Sequence, residues 1–408
     1  MITFLVILTT IISLRTIYLS KIKYGFLLNH YTLHNVFWLF TIILSYYFNN
    51  FYVTVNNEIF YIFIFGLIFF NFTINFVPTY RMRLSKPVLL SIRKRRIIEL
   101  IIIAFTIPQA ILNYKLIQQG IPLWAINAEY WSNRGGSIYI YALFQQSIIS
   151  PVSQLLIATC FFNNYYDSKK KSFYITILIA LLLEAISLLS SGGGRTGMLH
   201  LGFMLFLAYG ASYNPYIKKS VAQINKYIFL SVVLICIIGV SWATINRGHE
   251  SIFQEIIHRY TLCVPLFEHY YESDILKHHT FGSSTFEFFV TLFNYPFRLL
   301  GLGFDIVYNN SIIQEPVYLP ALADETNAYV TEYFNYIRDW GIVGVMIGPM
   351  FLAYMYNLAY KYLRKNSFYM LFFLAGVLSW NFESHFAFLK NNCLSIMYCI
   401  VLYKFLKK

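Results

Sequence analysis

Tyr336-Ile337-Arg338-Asp339-Trp340-Gly341-Ile342-Val343-Gly344 is the stretch where a polar region ends and a long apolar run begins. The apolar run, residues 341–360, has the length of one membrane-spanning helix, about 20 residues. Before it lies a polar region, residues 246–340, which contains five of the nine histidines. The sequence therefore predicts a large loop outside the membrane that leads directly into a span.

The composition extends this pattern to the whole chain of 408 residues. It is 58% hydrophobic and 12% charged, with a mean hydropathy of +0.56, as in proteins whose apolar runs repeat at membrane-spanning length. We predict an all-α polytopic membrane protein divided into residues 1–245, the loop 246–340 and residues 341–408. About eleven spans are expected, near 2–20, 31–49, 58–77, 97–117, 138–162, 173–190, 197–213, 227–245, 341–360, 368–381 and 388–404.

The basic residues predict which side of the membrane each loop occupies. Of the 31 lysines and arginines, 21 fall in six short segments between the spans. Because cytoplasmic loops are enriched in Lys and Arg, all six are expected inside, with the N-terminus outside and the C-terminus cytoplasmic. The net charge of +13 is thus explained by the bilayer, and a nucleic-acid partner is not expected. The segments are 21–23, 81–96, 169–171, 218–226, 361–365 and 404–408.

No metal or cofactor is expected. The five cysteines form no CxxC pair, so neither a disulfide framework nor a zinc site is indicated. The loop histidines lack Asp, Glu or Cys at ligand spacing. The first apolar run follows no basic leader and is expected to be an uncleaved span.

Two parts of the loop have apolar residues at helical spacing, 251–271 and 284–300, and we expect both to be amphipathic helices on the bilayer surface. Between the sixth and seventh spans, a glycine-rich turn carries Gly193, Gly194 and Arg195. Its backbone N–H groups and its guanidinium suit a diphosphate, and a simple hairpin turn is the alternative. Glu184, inside the sixth span, is either functional or a buried packing residue.

Arg338 and Asp339 are neighbours, and on a helix their side chains point about 100° apart. Asp339 stands just before the predicted span, so it is expected either to cap the N-terminus of that helix or to act in catalysis. A cation is unfavourable at a helix N-terminus. Arg338 is therefore expected to bind a ligand or a distant carboxylate such as Asp324.

The chain resembles the oligosaccharide repeat unit polymerases, the Wzy-type O-antigen and capsule polymerases. The resemblance rests on Asn327-Ala328-Tyr329, on Tyr336 to Gly344, and on the glycine-rich turn before a span. That family usually shows Asn-x-Tyr-Thr and then Tyr-x-Asp-Phe-Gly-x-x-Gly. Here the Thr is displaced to Thr331, the Tyr-to-Asp spacing is one residue longer, and Trp340 replaces Phe.

The resemblance implies a GT-C-like glycosyltransferase of the bacterial inner membrane with its active site on the extracytoplasmic face. The substrate would be a polyprenyl-diphosphate-linked oligosaccharide, with a chain-length regulator and a flippase as possible partners. A lipid-linked oligosaccharide flippase and an O-antigen ligase are the alternatives. The expected diphosphate and substrate ligands are Arg195, Arg247, Arg338, Gly193, Gly194, Asn327 and Tyr329, and the candidate catalytic residues are His249, Asp324, Glu325 and Asp339.

Overall fold

The computed structural model describes most of the N-terminal quarter of the chain and much of the predicted loop and ninth span. The described residues are 1–47, 55–77, 91–122, 252–303, 317–319, 324–326 and 331–364, with short pieces and single residues between 125 and 241 and between 401 and 406. These residues are mostly helical.

Eight α-helices and two strands form the main elements of the described residues. Short 3-10 helices cover Thr73–Phe76, Asp274–Lys277 and Gly341–Val343. The helices are α1 (Ile2–Tyr24), α2 (His30–Tyr47), α3 (Asn57–Phe72), α4 (Ile92–Gln118), α5 (Ile252–Glu272), α6 (Glu287–Leu299), α7 (Glu332–Trp340) and α8 (Gly344–Arg364). The strands are β1 (Val317–Leu319) and β2 (Asp324–Thr326).

Four helical segments are long and apolar enough to cross a membrane: Ile2–Tyr24, Asn57–Phe76, Ile92–Gln118 and Glu332–Leu358. They match four of the predicted spans, so a helical membrane protein is supported in the described residues. The fourth segment starts earlier than predicted, because α7 is already helical before the apolar run and joins α8 through a 3-10 turn. The total of eleven spans stays a prediction, since most of the residues from 123 to 251 and from 365 on lie outside the described part.

Local sequence explains where several helices begin and end. Gly25 ends α1 in the left-handed conformation, φ 75°, and its N–H bonds the Lys21 carbonyl at 2.8 Å, which is a common way for a helix to stop. Asn56 caps α3, because its side chain accepts a hydrogen bond from the Glu58 N–H at 3.1 Å.

The first compact unit contains α1, α2 and α3, most of α5, α6, α7 and the first part of α8. Its core centres on Trp38 of α2. The Trp38 ring lies 5.3 Å from Phe63 of α3 and 5.0 Å from Tyr333 of α7, and Phe63 lies 5.1 Å from Phe267 of α5. The predicted loop therefore supplies core residues to the same unit as the first spans.

A second compact unit contains α4 and the described residues between it and position 255. The compact units follow contacts, whereas the predicted division at residues 245 and 340 follows membrane topology. That division stays a prediction.

A buried polar network joins α1, α2 and α3. Asn35 and Asn71 exchange two amide hydrogen bonds, of 2.8 and 2.7 Å, and Asn71 also donates to Ser13 at 3.1 Å. At its edge, Asn357 of α8 donates to the Tyr31 hydroxyl at 2.9 Å. α2 is not among the four candidate spans of the described residues, so the span that the sequence predicts near 31–49 stays a prediction.

The strands β1 and β2 pair antiparallel, with Val317 opposite Thr326 and Leu319 opposite Asp324. This small pair was not expected in an all-α protein. The two loop helices expected from helical spacing are present as α5 and α6. The expectation that α5 lies on the bilayer surface is wrong, because its residues from Leu262 to Phe267 are buried in the core.

Candidate functional site

The short helix α7 buries polar and charged side chains at the start of a candidate span. All eight residues from Glu332 to Asp339 are buried. Four of them are polar or charged: Glu332, Asn335, Arg338 and Asp339. Charged residues are almost never fully buried unless they are paired or functional. This helix is therefore the candidate functional site within the described residues.

Asp339 is fully buried and holds a neighbouring turn. One carboxylate oxygen accepts the Ser284 N–H at 2.9 Å and the Thr280 hydroxyl at 2.6 Å, and the other accepts the Thr285 N–H at 2.7 Å. The residue lies in the last turn of α7, so the expectation that it caps the N-terminus of its own span is wrong. It accepts backbone N–H groups of the segment before α6 instead, which gives it a positioning role; its catalytic role stays a prediction.

Arg338 is only 4% exposed. Its guanidinium carbon lies 6.0 Å from the centre of the Phe334 ring, a distance at which a cation is attracted to an aromatic face. The carboxylates of Asp339 and Glu287 also attract it electrostatically. Charges from α6 and α7 therefore meet at this guanidinium. Arg338 lies in the last turn of α7, so the expectation that it stands at a helix N-terminus is wrong.

Glu332 is a site residue that the sequence analysis missed. It is 1% exposed, and neither carboxylate oxygen makes a well-formed hydrogen bond to the described residues. Glu332, Asn335 and Asp339 follow the spacing i, i+3 and i+7, so they share one side of a helix. That spacing was readable in the sequence once α7 was recognised as a helix. The sequence predicts a loop up to Trp340, and in a loop this spacing has no meaning.

Two motif glycines have clear structural reasons. Gly341 has φ 60° and ψ −150°, a backbone conformation almost confined to glycine, and a Cβ there would lie 3.1 Å from the His279 ring. A Cβ on Gly344 would lie 2.0 Å from the Tyr336 carbonyl oxygen. The Gly-x-x-Gly of the motif therefore allows the turn between α7 and α8 to close tightly.

Aromatic residues of α7 pack directly against glycines of the neighbouring helices α3 and α8. A Cβ added at Gly66 of α3 would lie 2.1 Å from the Tyr333 hydroxyl, and one at Gly348 of α8 would lie 2.2 Å from the Tyr336 ring. These close approaches hold α7 between α3 and α8, and so they determine where its charged residues lie.

A second acidic group joins α5 to the start of α3. Glu268 accepts the Asn56 N–H at 2.6 Å, and the Tyr271 hydroxyl donates to Glu58 at 2.8 Å. Burial, and then the charge of Glu272, raise the pKa of Glu268, while the bond from Asn56 opposes the shift. Burial and the adjacent Glu58 raise the pKa of Tyr271 to about 12. The carboxylates of Glu268 and Glu58 therefore connect α5 to the start of α3.

The remaining predicted site residues are only partly placed. Asp324 and Glu325 lie in β2, opposite Leu319 and Tyr318, but their side chains are outside the described part. Within the described residues, no group of three His, Cys, Asp or Glu side chains is arranged to hold a metal ion. Also outside the described residues are Glu184, Gly193, Gly194, Arg195, Arg247, His249, Asn327 and Tyr329.

Comparison with known proteins found no matching family model, no matching curated protein and no matching solved structure.

Proposed function

We propose that this protein is an oligosaccharide repeat unit polymerase of the bacterial inner membrane. It would transfer a growing glycan from its polyprenyl diphosphate carrier to the terminal sugar hydroxyl of an incoming lipid-linked repeat unit. The observation that carries the proposal is the buried set of opposite charges on α7, where Glu332, Arg338 and Asp339 stand at the start of a candidate span. The short motifs around Tyr336 and Gly341 add the family resemblance.

The proposed reaction forms one glycosidic bond and breaks one bond to phosphate. The acceptor hydroxyl oxygen attacks the anomeric carbon of the donor sugar, and the carrier diphosphate leaves with the bonding electron pair. The hydroxyl proton passes to a base. A guanidinium stabilises the charge that develops on the diphosphate, because its fork of N–H groups matches phosphate oxygens.

In this scheme Arg338 binds the diphosphate, with Arg195 and Arg247 as further ligands beside Gly193 and Gly194. Asn327 and Tyr329 contact the sugars. The base is sought among His249, Asp324, Glu325 and Asp339, to which the buried Glu332 is now added. The scheme uses no metal or cofactor, since the lipid diphosphate is already activated.

The proposed setting follows the sequence expectations: eleven spans, a GT-C-like arrangement, the N-terminus outside and the active site on the extracytoplasmic face. The lipid bilayer and the lipid-linked oligosaccharide are the direct partners, with a chain-length regulator and a flippase beside them. A flippase would move the same substrate without forming a bond. An O-antigen ligase would transfer the glycan to a different acceptor.

Polymer ladders from cells that express single variants test the proposal. Arg338→Ala is expected to lower polymer about ten- to hundred-fold, the usual effect of losing a charge-assisted contact of about 1.5 to 3 kcal/mol. Arg338→Lys should recover only part, because an ammonium lacks the bidentate fork. Arg195→Ala should behave like Arg338→Ala, and Glu332→Gln should lose polymer if Glu332 is the base.

The exposed Arg298 of α6 provides the matched control, and Arg298→Ala should keep normal ladders. Full-length ladders in Arg338→Ala at equal protein abundance would remove Arg338 from the site. Purified protein with two lipid-linked repeat units separates the alternatives: a polymerase yields a dimer of the repeat and free polyprenyl diphosphate, whereas a flippase yields neither.

A further inference from the structure

Among the described side chains of helix α6, two polar ones are buried, whereas large apolar ones of the helix and of Leu300, directly after it, are exposed. Glu287 is 7% exposed and Asn294 is 1% exposed, whereas Phe293 is 70%, Phe297 53% and Leu300 72% exposed. A helix on the surface of a water-soluble protein shows the opposite arrangement, with its apolar stripe facing the core. Phe293, Phe297 and Leu300 follow the spacing i, i+4 and i+7, so they form one continuous stripe.

The buried polar side of this segment is attached to α7. Asp339 accepts the Ser284 and Thr285 N–H groups just before α6, and the Ser284 hydroxyl donates to Asn335 at 2.8 Å. Glu287, the first residue of α6, attracts Arg338. One side of the segment therefore meets the polar residues of the candidate site, while the other side exposes aromatic and aliphatic groups.

The exposed stripe continues onto a candidate membrane span. Phe286, directly before α6, packs edge to face against Phe351 of α8, with ring centres 5.9 Å apart. Alongside Phe351, α8 exposes Ile347 and Tyr354, and it belongs to the candidate span Glu332–Leu358. The same environment should cover both surfaces, and for a membrane span that environment is lipid hydrocarbon.

The length of α6 determines how it can be oriented relative to the bilayer. Its 13 residues reach about 20 Å at 1.5 Å per residue, too short for a hydrocarbon core of about 30 Å. A short helix with a continuous apolar face lies along the interface and buries that face in the headgroup and acyl boundary.

We propose that α6 is an in-plane interfacial helix whose apolar stripe, Phe293, Phe297 and Leu300, is buried in the acyl chains of the bilayer leaflet. In this placement, α6 alone separates the polar residues of α7 from that leaflet.

Spin labels on single cysteines test this placement in vesicles of phosphatidylethanolamine and phosphatidylglycerol. The background lacks Cys160, Cys236, Cys393 and Cys399 but keeps Cys263, which is fully buried and whose thiol pKa burial raises to about 12, so that it reacts poorly. Labels are placed by Phe293→Cys, Phe297→Cys and Leu300→Cys. The control is Lys277→Cys, at an exposed residue of the Asp274–Lys277 turn.

Labels on the stripe are expected to collide several-fold more with oxygen, relative to a water-soluble nickel chelate, than the label at position 277. High nickel collision at all three stripe positions would place the stripe in water and overturn the proposal. Low collision with both reagents would mean that protein, such as a second copy of the chain, covers the stripe, and this would overturn it too. If one variant is poorly expressed, Leu302→Cys replaces it, because Leu302 is 75% exposed.

The collision ratio does not depend on glycan synthesis. A lipid-buried stripe in a protein that makes no polymer would uphold the placement of α6 and refute the proposed function. A water-exposed stripe in an active polymerase would do the reverse.

Discussion

At the residue scale, Asp339 shows how one buried carboxylate organises its surroundings. Both of its oxygens accept backbone N–H groups, from Ser284 and Thr285, and Thr280 adds a hydroxyl. An asparagine offers only one oxygen. Its NH₂ group would face a backbone N–H and leave that donor unsatisfied.

We therefore expect Asp339→Asn to lower the free energy of unfolding by about 1 to 3 kcal/mol, the cost of an unsatisfied buried donor. Asp274→Asn is the control: Asp274 is exposed and pairs with Lys277 on the surface, where such pairs contribute little. The apparent melting temperature in detergent measures both variants. Equal melting temperatures for the two would contradict the positioning role of Asp339.

Gly341 supplies the second prediction at this scale. Gly341→Ala should destabilise the protein by about 1 to 3 kcal/mol because of its backbone conformation, and further through contact with the His279 ring. Gly301 is a matched control. Its φ is also positive, 71°, but a Cβ there meets nothing within 4 Å.

Gly301→Ala should thus show the cost of a positive φ without a contact, and a smaller drop in melting temperature. If Gly301→Ala is as harmful as Gly341→Ala, neither the ψ of −150° at Gly341 nor contact with His279 adds to that cost.

At the element scale, helices are held together by polar contacts as well as by the aromatic core. The network of Asn35, Asn71 and Ser13 joins α1, α2 and α3, and Glu268 joins α5 to the N-terminus of α3. In the first case both amides are satisfied. In the second, a carboxylate is partly buried beside Glu272.

The amide pair should behave as a unit. Asn71→Leu leaves the Asn35 amide without its partner and is expected to cost about 1 to 3 kcal/mol, whereas replacing both with leucine should cost less than the sum of the single changes. Melting temperatures of the two single variants and the double variant give this coupling. Additive losses would show that the two amides do not depend on each other.

Glu268 makes the stability of the contact between α5 and α3 depend on pH. Its pKa is raised in the folded protein, chiefly by burial, so folding favours the protonated form. This contribution to stability is fully present below the ordinary carboxyl pKa of 4.5 and is lost as pH rises through the folded-state value.

Glu268→Gln keeps an acceptor for the Asn56 N–H and removes the charge. The variant should therefore melt at a higher temperature than the natural protein at neutral pH, and the two should converge in acid. A variant that melts lower at neutral pH would mean that the charge stabilises the contact.

At the scale of the whole molecule, the distribution of basic residues predicts the membrane topology. Reporter fusions near residues 90, 170, 220 and 363 should be cytoplasmic, and fusions near 127, 194 and 280 should be outside. A cytoplasmic reporter at residue 280 would place α6 and the turn held by Asp339 on the wrong side for the proposed reaction.

The sequence by itself determined the membrane class, the helices of the described spans and the two loop helices α5 and α6. These follow from apolar runs and helical spacing, which are local properties of the chain. It also pointed to Arg338 and Asp339 as important residues, because charges beside a span are conspicuous.

Only the tertiary structure decided what those residues do. Asp339 bonds Ser284 and Thr285, 55 and 54 residues earlier in the chain, and no local pattern shows such a partner. The burial of Glu332 depends on the elements that surround α7, and the burial of Glu287 and Asn294 depends on what packs against α6. Burial and partners of this kind depend on segments far apart in the chain, so they arise when the chain folds and cannot be read from spacing.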